Sequence, residues 1–312
     1  MSRRLGILSL VLAAVFQAWA QYDPSFSHYW AMEPSFNPAA AGKEQKLNVA
    51  GAYNMTMVGF EHNPRTMYIG ADLPLYLLGS YHGLGLQIVN DEIGLFSHKR
   101  VNGQYAFKRR LFGGMLSVGV QGGLISEDFD GSGLDLDDTS DPAFAKSSVT
   151  GTGLDLAGGL YYSHRQGWYV GASVQHALEP TVELGETNEI VIARTYYFTG
   201  GYNIRLRNPF LTIQTSVLGR TDGVAYRGDV TARLKYNHEK RVMYAGLSYS
   251  PTNSVTLLIG GYFRGVMVGY SYEAYTGAIS LGNGSHELFV GYQTDIDLGK
   301  KGRNRHQSVR IL

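Results

Sequence analysis

The 312-residue chain is 44% apolar and 17% charged, has a formal net charge of +1, and is rich in glycine (40), tyrosine (22) and phenylalanine (13) while holding no cysteine. So even a charge balance excludes a strongly basic nucleic-acid-binding surface, and the lack of cysteine excludes disulfide crosslinks. Glycine and aromatics without helix-forming runs favour an all-β architecture, and the length suits one large domain or two ordinary ones.

Residues 1–20 read as a secretory signal peptide: Arg3 and Arg4, an apolar run from Leu5 to Phe16, and Ala18-Trp19-Ala20 ahead of Gln21. The apolar stretch, about 16 residues, is short of the roughly 20 that a spanning helix needs. Loss of Arg3 and Arg4 with the leader leaves a mature chain of net charge −1. No later stretch reaches the length of a helical span, so the exported chain is expected to be either soluble or a β-barrel.

Residues 21–45 come next. Three X-Pro pairs, ending at Pro24, Pro34 and Pro38, resist regular helix. Phe26, Tyr29, Trp30, Met32 and Phe36 nevertheless need burial. The expectation is an aromatic segment that folds into the periplasmic mouth of the barrel and plugs the lumen, or else packs against its lower rim.

From residue 46 to 297 the dominant signal is alternation. Tyr226, Gly228, Val230, Ala232, Leu234 and Tyr236 share one parity, while Arg227, Asp229, Thr231, Arg233, Lys235 and Asn237 share the other. Ten residues at roughly 3.3 Å each, tilted about 40°, set the two tyrosines about 25 Å apart along the membrane normal, the height of the apolar band of an outer-membrane barrel. Leu116, Val118 and Val120 follow the same rule, as do Val101, Tyr105 and Phe107; Leu211, Ile213 and Val217; and Trp168, Val170 and Val174.

The fold class expected is therefore an all-β transmembrane antiparallel barrel of about 14 strands. The segments lie near 46–59, 65–75, 82–92, 97–109, 113–126, 151–164, 168–178, 190–205, 210–219, 224–237, 241–250, 254–264, 266–275 and 284–296. An even count returns both ends to the periplasm, with tight turns such as Arg165-Gln166-Gly167 and Arg264-Gly265 on that side. The acidic stretch from Glu127 to Ser148, with Asp128, Asp130, Asp135, Asp137, Asp138 and Asp141, is expected as a solvated outer loop. Leu75 to Tyr81 is expected to fold inward or lie in the interface. A soluble sandwich or propeller also alternates, but its outward parity is densely polar and its strands average five or six residues.

Chemistry-bearing motifs are absent: there is no G-x-S-x-G, no Walker A loop, no H-E-x-x-H and no helix-opening G-x-G-x-x-G. The nine histidines are scattered singly. Asp128, Asp130 and Gly131 supply only a fragment of a calcium loop. No catalytic, cofactor or metal site is expected, and the chain is read as not an enzyme.

The mature N-terminus carries a resemblance. Gln21-Tyr22-Asp23-Pro24-Ser25-Phe26-Ser27-His28-Tyr29-Trp30, followed by Asn37-Pro38-Ala39-Ala40-Ala41-Gly42, resembles the opening of the PorP/SprF family of type IX secretion system membrane proteins in the Bacteroidota. The family pattern runs roughly Q-D-P-x-F-S-x-Y, then N-P-A-x-A-G; this chain inserts Tyr22 and has Glu33-Pro34 where Asn-Pro is more frequent. The resemblance continues at Val268-Gly269-Tyr270-Ser271-Tyr272-Glu273, at Gly284-Ser285-His286-Glu287-Leu288 and in the closing Ser308-Val309-Arg310. It singles out Asp23, Pro24, Phe26, Tyr29, Asn37, Pro38 and Gly42 as plug or family-motif residues.

That resemblance implies an outer-membrane adaptor or anchor supporting protein secretion to the cell surface and, in some species, gliding. The implied partners are outer-membrane lipids, a periplasmic ring lipoprotein with its own partner, and a secreted cargo or surface adhesin. A lumen of about 14 strands is narrow for folded cargo, which argues against a conduit. Residues 298–312 form a basic tail, Lys300, Lys301, Arg303, Arg305 and Arg310, expected to hang in the periplasm and dock on an acidic partner. The alternative function is a transporter of hydrophobic small molecules resembling the fatty-acid channels, which requires a continuous apolar pocket.

Overall fold

The computed structural model describes residues 22–131, 148–185, 188–238, 241–277 and 283–296. The leader, Asp135, Asp137, Asp138, Asp141 and the tail residues Lys300, Lys301, Arg303, Arg305 and Arg310 lie outside the described residues. Sixteen strands follow in order: β1 (Lys46–Met55), β2 (Arg65–Leu77), β3 (Ser80–Ile93), β4 (Phe96–Leu111), β5 (Gly114–Phe129), β6 (Val149–His164), β7 (Trp168–Gln175), β8 (Thr181–Leu184), β9 (Asn188–Val191), β10 (Thr195–Arg205), β11 (Leu211–Thr221), β12 (Tyr226–His238), β13 (Arg241–Ser250), β14 (Ser254–Phe263), β15 (Val266–Tyr275) and β16 (Ser285–Asp295). All but β8 and β9 form one closed antiparallel barrel of 14 strands. Closure comes from β1 against β16, in register from Lys46↔Asp295 to Met55↔His286.

The alternating parity becomes an inside and an outside. On β12, Tyr226 is 88% exposed and Val230, Leu234 and their outward neighbours face the surroundings, while Thr231 and Arg233 are buried in the lumen. The same holds around the wall, where Leu86, Val101, Val120, Leu156, Phe198, Leu257 and Val290 point outward. An exposed apolar belt of this extent would be costly in water and is stabilised in lipid. The inward face is instead lined by Gln87, Asn102, Gln104, Gln121, Ser173, Ser216 and Thr256, all buried.

Lys46 and Asp295 mark one rim, called proximal here; the opposite rim is distal. At the proximal rim, Leu78-Gly79, Phe112-Gly113 and Arg264-Gly265 each have positive φ at both positions, the two-residue type I′ geometry whose twist matches that of the flanking strands. Leu75 to Tyr81 therefore does not fold inward: β2 and β3 run on to Leu77 and Ser80, pair to the end, and turn at Leu78-Gly79. On the distal side the connections after β1, β5 and β7 are long, whereas Gly94-Leu95, 222–225 and 251–253 are short.

The wall is uneven in height. β4, β5 and β6 have 16 residues each, against 10 or 11 in β13 to β16. The extra length projects distally and carries polar residues on its outer face, where Lys99 pairs with Asp128 at 2.7 Å and Thr150 donates to Asp128 at 2.6 Å. This corrects the expectation of a solvated loop starting at Glu127. Glu127 and Asp128 are strand residues, and Glu127 is fully buried on the inward parity. β8 and β9 form a separate hairpin packed inside this extension, with Val182 and Ile192 buried against Ile125 and Tyr22.

Candidate functional site

Residues 22–45 run through the lumen from the distal end to the proximal mouth. Regular helix is denied them by their prolines. They form three single 3₁₀ turns instead, Tyr29–Ala31, Glu33–Ser35 and Pro38–Ala40, the last two with proline in the first turn. Asn37 caps the third, its Oδ1 accepting from Ala39 N at 3.0 Å while its Nδ2 donates to Leu160 O at 3.0 Å.

At the distal end Asp23 is the hub. Arg100 Nη1 donates to its Oδ1 at 2.5 Å and Tyr197 OH to its Oδ2 at 2.7 Å, with His176 Nε2 3.3 Å away. Arg220 donates to the Asp23 and Pro24 carbonyls, at 2.8 and 3.2 Å, and to Ser25 Oγ at 2.5 Å. Burial alone would raise the Asp23 carboxyl, but the charges of Arg100 and His176 prevail and hold it well below the usual carboxylate range. His176 shows the converse: burial would lower it, yet Asp23, together with hydrogen bonding to Asp155 and Asp23, lifts it to about 9. It therefore carries its proton at neutral pH. Next to it, Tyr22 OH donates to Glu127 Oε1 at 2.5 Å, and Glu127 also pairs with His98.

In the middle, the first and last parts of the chain meet. The backbone N–H groups of Ser27 and His28 donate to Glu287 on β16 at 2.7 and 2.9 Å. His28 Nδ1 lies 2.6 Å from the same carboxylate, and Nε2 2.8 Å from Tyr244 OH. Phe26 packs edge-on against Tyr68, and Tyr29 OH donates to Thr231 at 3.0 Å. These partners are fully or nearly fully buried, so the cluster holds the segment in place and offers no substrate access.

Toward the proximal end the segment becomes narrow. Ala39, Ala40 and Ala41 are all 0% exposed, pressed against a glycine-lined wall. A Cβ on Gly83 would strike the Ala41 carbonyl, and one on Gly119 the backbone of Ala39. Gly42 has φ +61°, and its N–H donates to Asp72 at 2.7 Å. Gln104 donates to Pro34 O, and Ser173 and Gln175 to Phe36 O, so backbone groups that leave secondary structure are met by inward side chains. Below lies an open cavity of about 730 Å³, floored by Trp30, Glu33 and Lys43 and walled by Tyr169, Arg233, Lys235 and Tyr262 among others.

Asp23, Pro24, Phe26, Tyr29, Asn37, Pro38 and Gly42 thus all lie in the lumen within one segment. Their counterparts, Arg100, His176, Tyr197, Arg220, Tyr244 and Glu287, were not singled out from sequence. Most of them had left one legible signal, a charged or titratable residue on the inward parity of a strand. Among the described residues no group of three or more His, Asp or Glu is placed to hold a metal ion, and the inward face mixes polar side chains with apolar ones such as Val89, Leu258, Met267 and Phe289, which pack against residues 22–45.

The family described as type IX secretion system membrane protein PorP/SprF matches residues 18–292. Among solved structures the chain is similar to the CymD monoaromatic hydrocarbon channel, at 11% identity and a TM-score of 0.52, covering 85% of this chain and 93% of that one. It is also similar to the TodX deltaS2S3 mutant monoaromatic hydrocarbon channel, at 10% identity, TM-score 0.44 and 80% and 89% coverage. A third is BamA from Haemophilus ducreyi lacking POTRA domains 1–3, at 8% identity, TM-score 0.42 and 80% and 70% coverage. No curated protein matches.

Proposed function

The chain belongs to the PorP/SprF family of type IX secretion system membrane proteins, and from that premise we propose that it is a non-enzymatic adaptor or anchor, a closed barrel that tethers the secretion machinery to the outer membrane. Outer-membrane barrels have their short turns on the periplasmic side, so the proximal rim, with its two-residue turns, faces the periplasm and its mouth meets the ring lipoprotein, that lipoprotein's partner and cargo on the way out. The supporting observation is the lumen itself. Residues 22–45 fill it and are bonded to strands around the wall, from Asp72 on β2 to Glu287 on β16, so folded cargo has no path through. A part in gliding follows from the same anchoring role.

A hydrophobic-molecule channel is the second reading, and fold likeness to a hydrocarbon channel is all that favours it. The occupation of the lumen by residues 22–45 disfavours it.

The test is affinity purification of the tagged full-length protein from its own envelope in mild detergent, with and without truncation after Asp297. Co-purification of the ring lipoprotein and its partner is the expected outcome, weakened by loss of Lys300, Lys301, Arg303, Arg305 and Arg310. A barrel that purifies alone overturns the adaptor reading; unchanged association after truncation removes the tail from it.

A further inference from the structure

Charge pairing in the proximal cavity is uneven. Its acids are engaged: Glu33 holds Lys43 at 2.6 Å, Asp72 accepts from Gly42 N at 2.7 Å and from Asn48 at 2.9 Å, and Glu44 accepts from Gln293 at 3.3 Å. Among the described residues, three of its cations are not: Lys46 at the rim and two on β12. Arg233, 6% exposed, and the half-buried Lys235 both line the cavity from the inward face of β12, and among the described residues no carboxylate lies within ion-pair distance of either. Arg233 Nε is buried without a hydrogen-bond partner, as is Trp30 Nε1, and the guanidinium sits 3.4 Å from the centroid of the Trp30 ring. The indole face compensates part of the desolvated charge. It supplies no acceptor, and a buried cation with donors unmet is costly unless an anion arrives.

Spacing narrows the anion. Arg233 and Lys235 are two apart on one strand face, so their stems are about 7 Å from each other. Alternate side chains of an extended peptide have that same repeat. The cavity opens at the mouth and its walls carry aromatic rings, among them Trp30, Tyr169 and Tyr262, which suit apolar side chains between or beside the acids. Lipid headgroups have no route to cations that face the interior of a closed wall.

We propose that this cavity is a socket for an extended acidic segment of a periplasmic protein, of the pattern Asp/Glu-x-Asp/Glu, with its two carboxylates on Arg233 and Lys235. The side from which the segment enters rests on the family reading above; its chemistry rests on the cavity. Arg233 would then exchange a one-sided stack for a bidentate carboxylate pair.

One of the chain's three tryptophans, Trp30, lies in the socket under Arg233, so intrinsic fluorescence reads its occupancy. The full mature chain in nanodiscs is titrated with a blocked octapeptide of alternating Glu and Leu, with its Gln-Leu and Lys-Leu counterparts, and with inorganic phosphate. The expected result is a saturable change with the Glu peptide alone. Affinity should fall at least about tenfold in Arg233→Gln and in Lys235→Gln, the order of a lost charge-assisted pair. Heat-modified electrophoretic mobility checks that each variant folds, and Lys235→Gln, at a half-buried site, carries the test if Arg233→Gln does not. Equal binding of the Gln peptide, unchanged affinity in the folded variants, or saturation by phosphate at similar concentration overturns the socket. Ring co-purification without peptide binding sinks the socket alone, whereas peptide binding by a barrel that purifies alone leaves the socket and removes the secretion reading.

Discussion

Asp23 is 5% exposed and shares its carboxylate among Arg100, His176 and Tyr197. Removing one member of such a buried set leaves the others without a counter-charge, at a cost of about 3–5 kcal/mol. The sign of the pH dependence follows from His176. Its folded value of about 9 lies above the ordinary 6.5, so its contribution is complete below about 6.5 and is lost as pH rises through 9. Asp23, held low, contributes above the usual carboxylate range and fails only in acid. The expected outcome in a histidine-labelled NMR titration is a His176 imidazole midpoint near 9, falling toward the ordinary range in Asp23→Asn. A wild-type midpoint near 6.5 would contradict the pairing.

At the level of elements, the 14 barrel strands were legible because lipid outside and a more polar interior impose different preferences on alternate residues. The β8–β9 hairpin was not legible. Its strands are four residues each, and Ile190 and Val191 read equally well as the start of β10, so the sequence-based segment at 190–205 absorbed them. The inward course of β5 at Glu127 was hidden for a related reason: an acid beside Asp128 and Asp130 resembles a loop until the buried partners His98 and Tyr22 are known. In residues 22–45, proline spacing and aromatic content indicated irregular, buried structure, but no pattern within the segment could name Glu287, 259 positions from His28.

Close approach at Gly119 gives this element its own prediction. The chain has no native cysteine, so Ala40→Cys supplies a unique thiol at a site that is 0% exposed. It should resist maleimide in the folded barrel. Adding Gly119→Val, whose side chain would collide with the Ala39 backbone, should raise labelling at least about tenfold through lost seating. Equal labelling in the two backgrounds would place the segment elsewhere.

For the whole molecule, closure is a matter of two obstructions in series, the N-terminal segment along the lumen and the β8–β9 hairpin beneath the distal extension. Wild-type protein in planar bilayers is accordingly expected to be electrically quiet. Deletion of residues 22–45 should raise conductance at least about tenfold, since an emptied barrel of this strand number encloses a ligand-sized or wider bore. Large steady conductance in the wild type would exclude a sealed lumen.

The contact between Ser27-His28 and Glu287 also constrains biogenesis. The occupant of the bore is made before any stave, yet one of its principal holds is on the last stave to emerge from translation. Threading it in afterwards would mean passing charged groups through a completed cylinder, so it must wait unsatisfied in the periplasm until the sheet curls round it. Seam closure and seating of the occupant then become a single event, and an insertion machine that released the cylinder too early would release it empty.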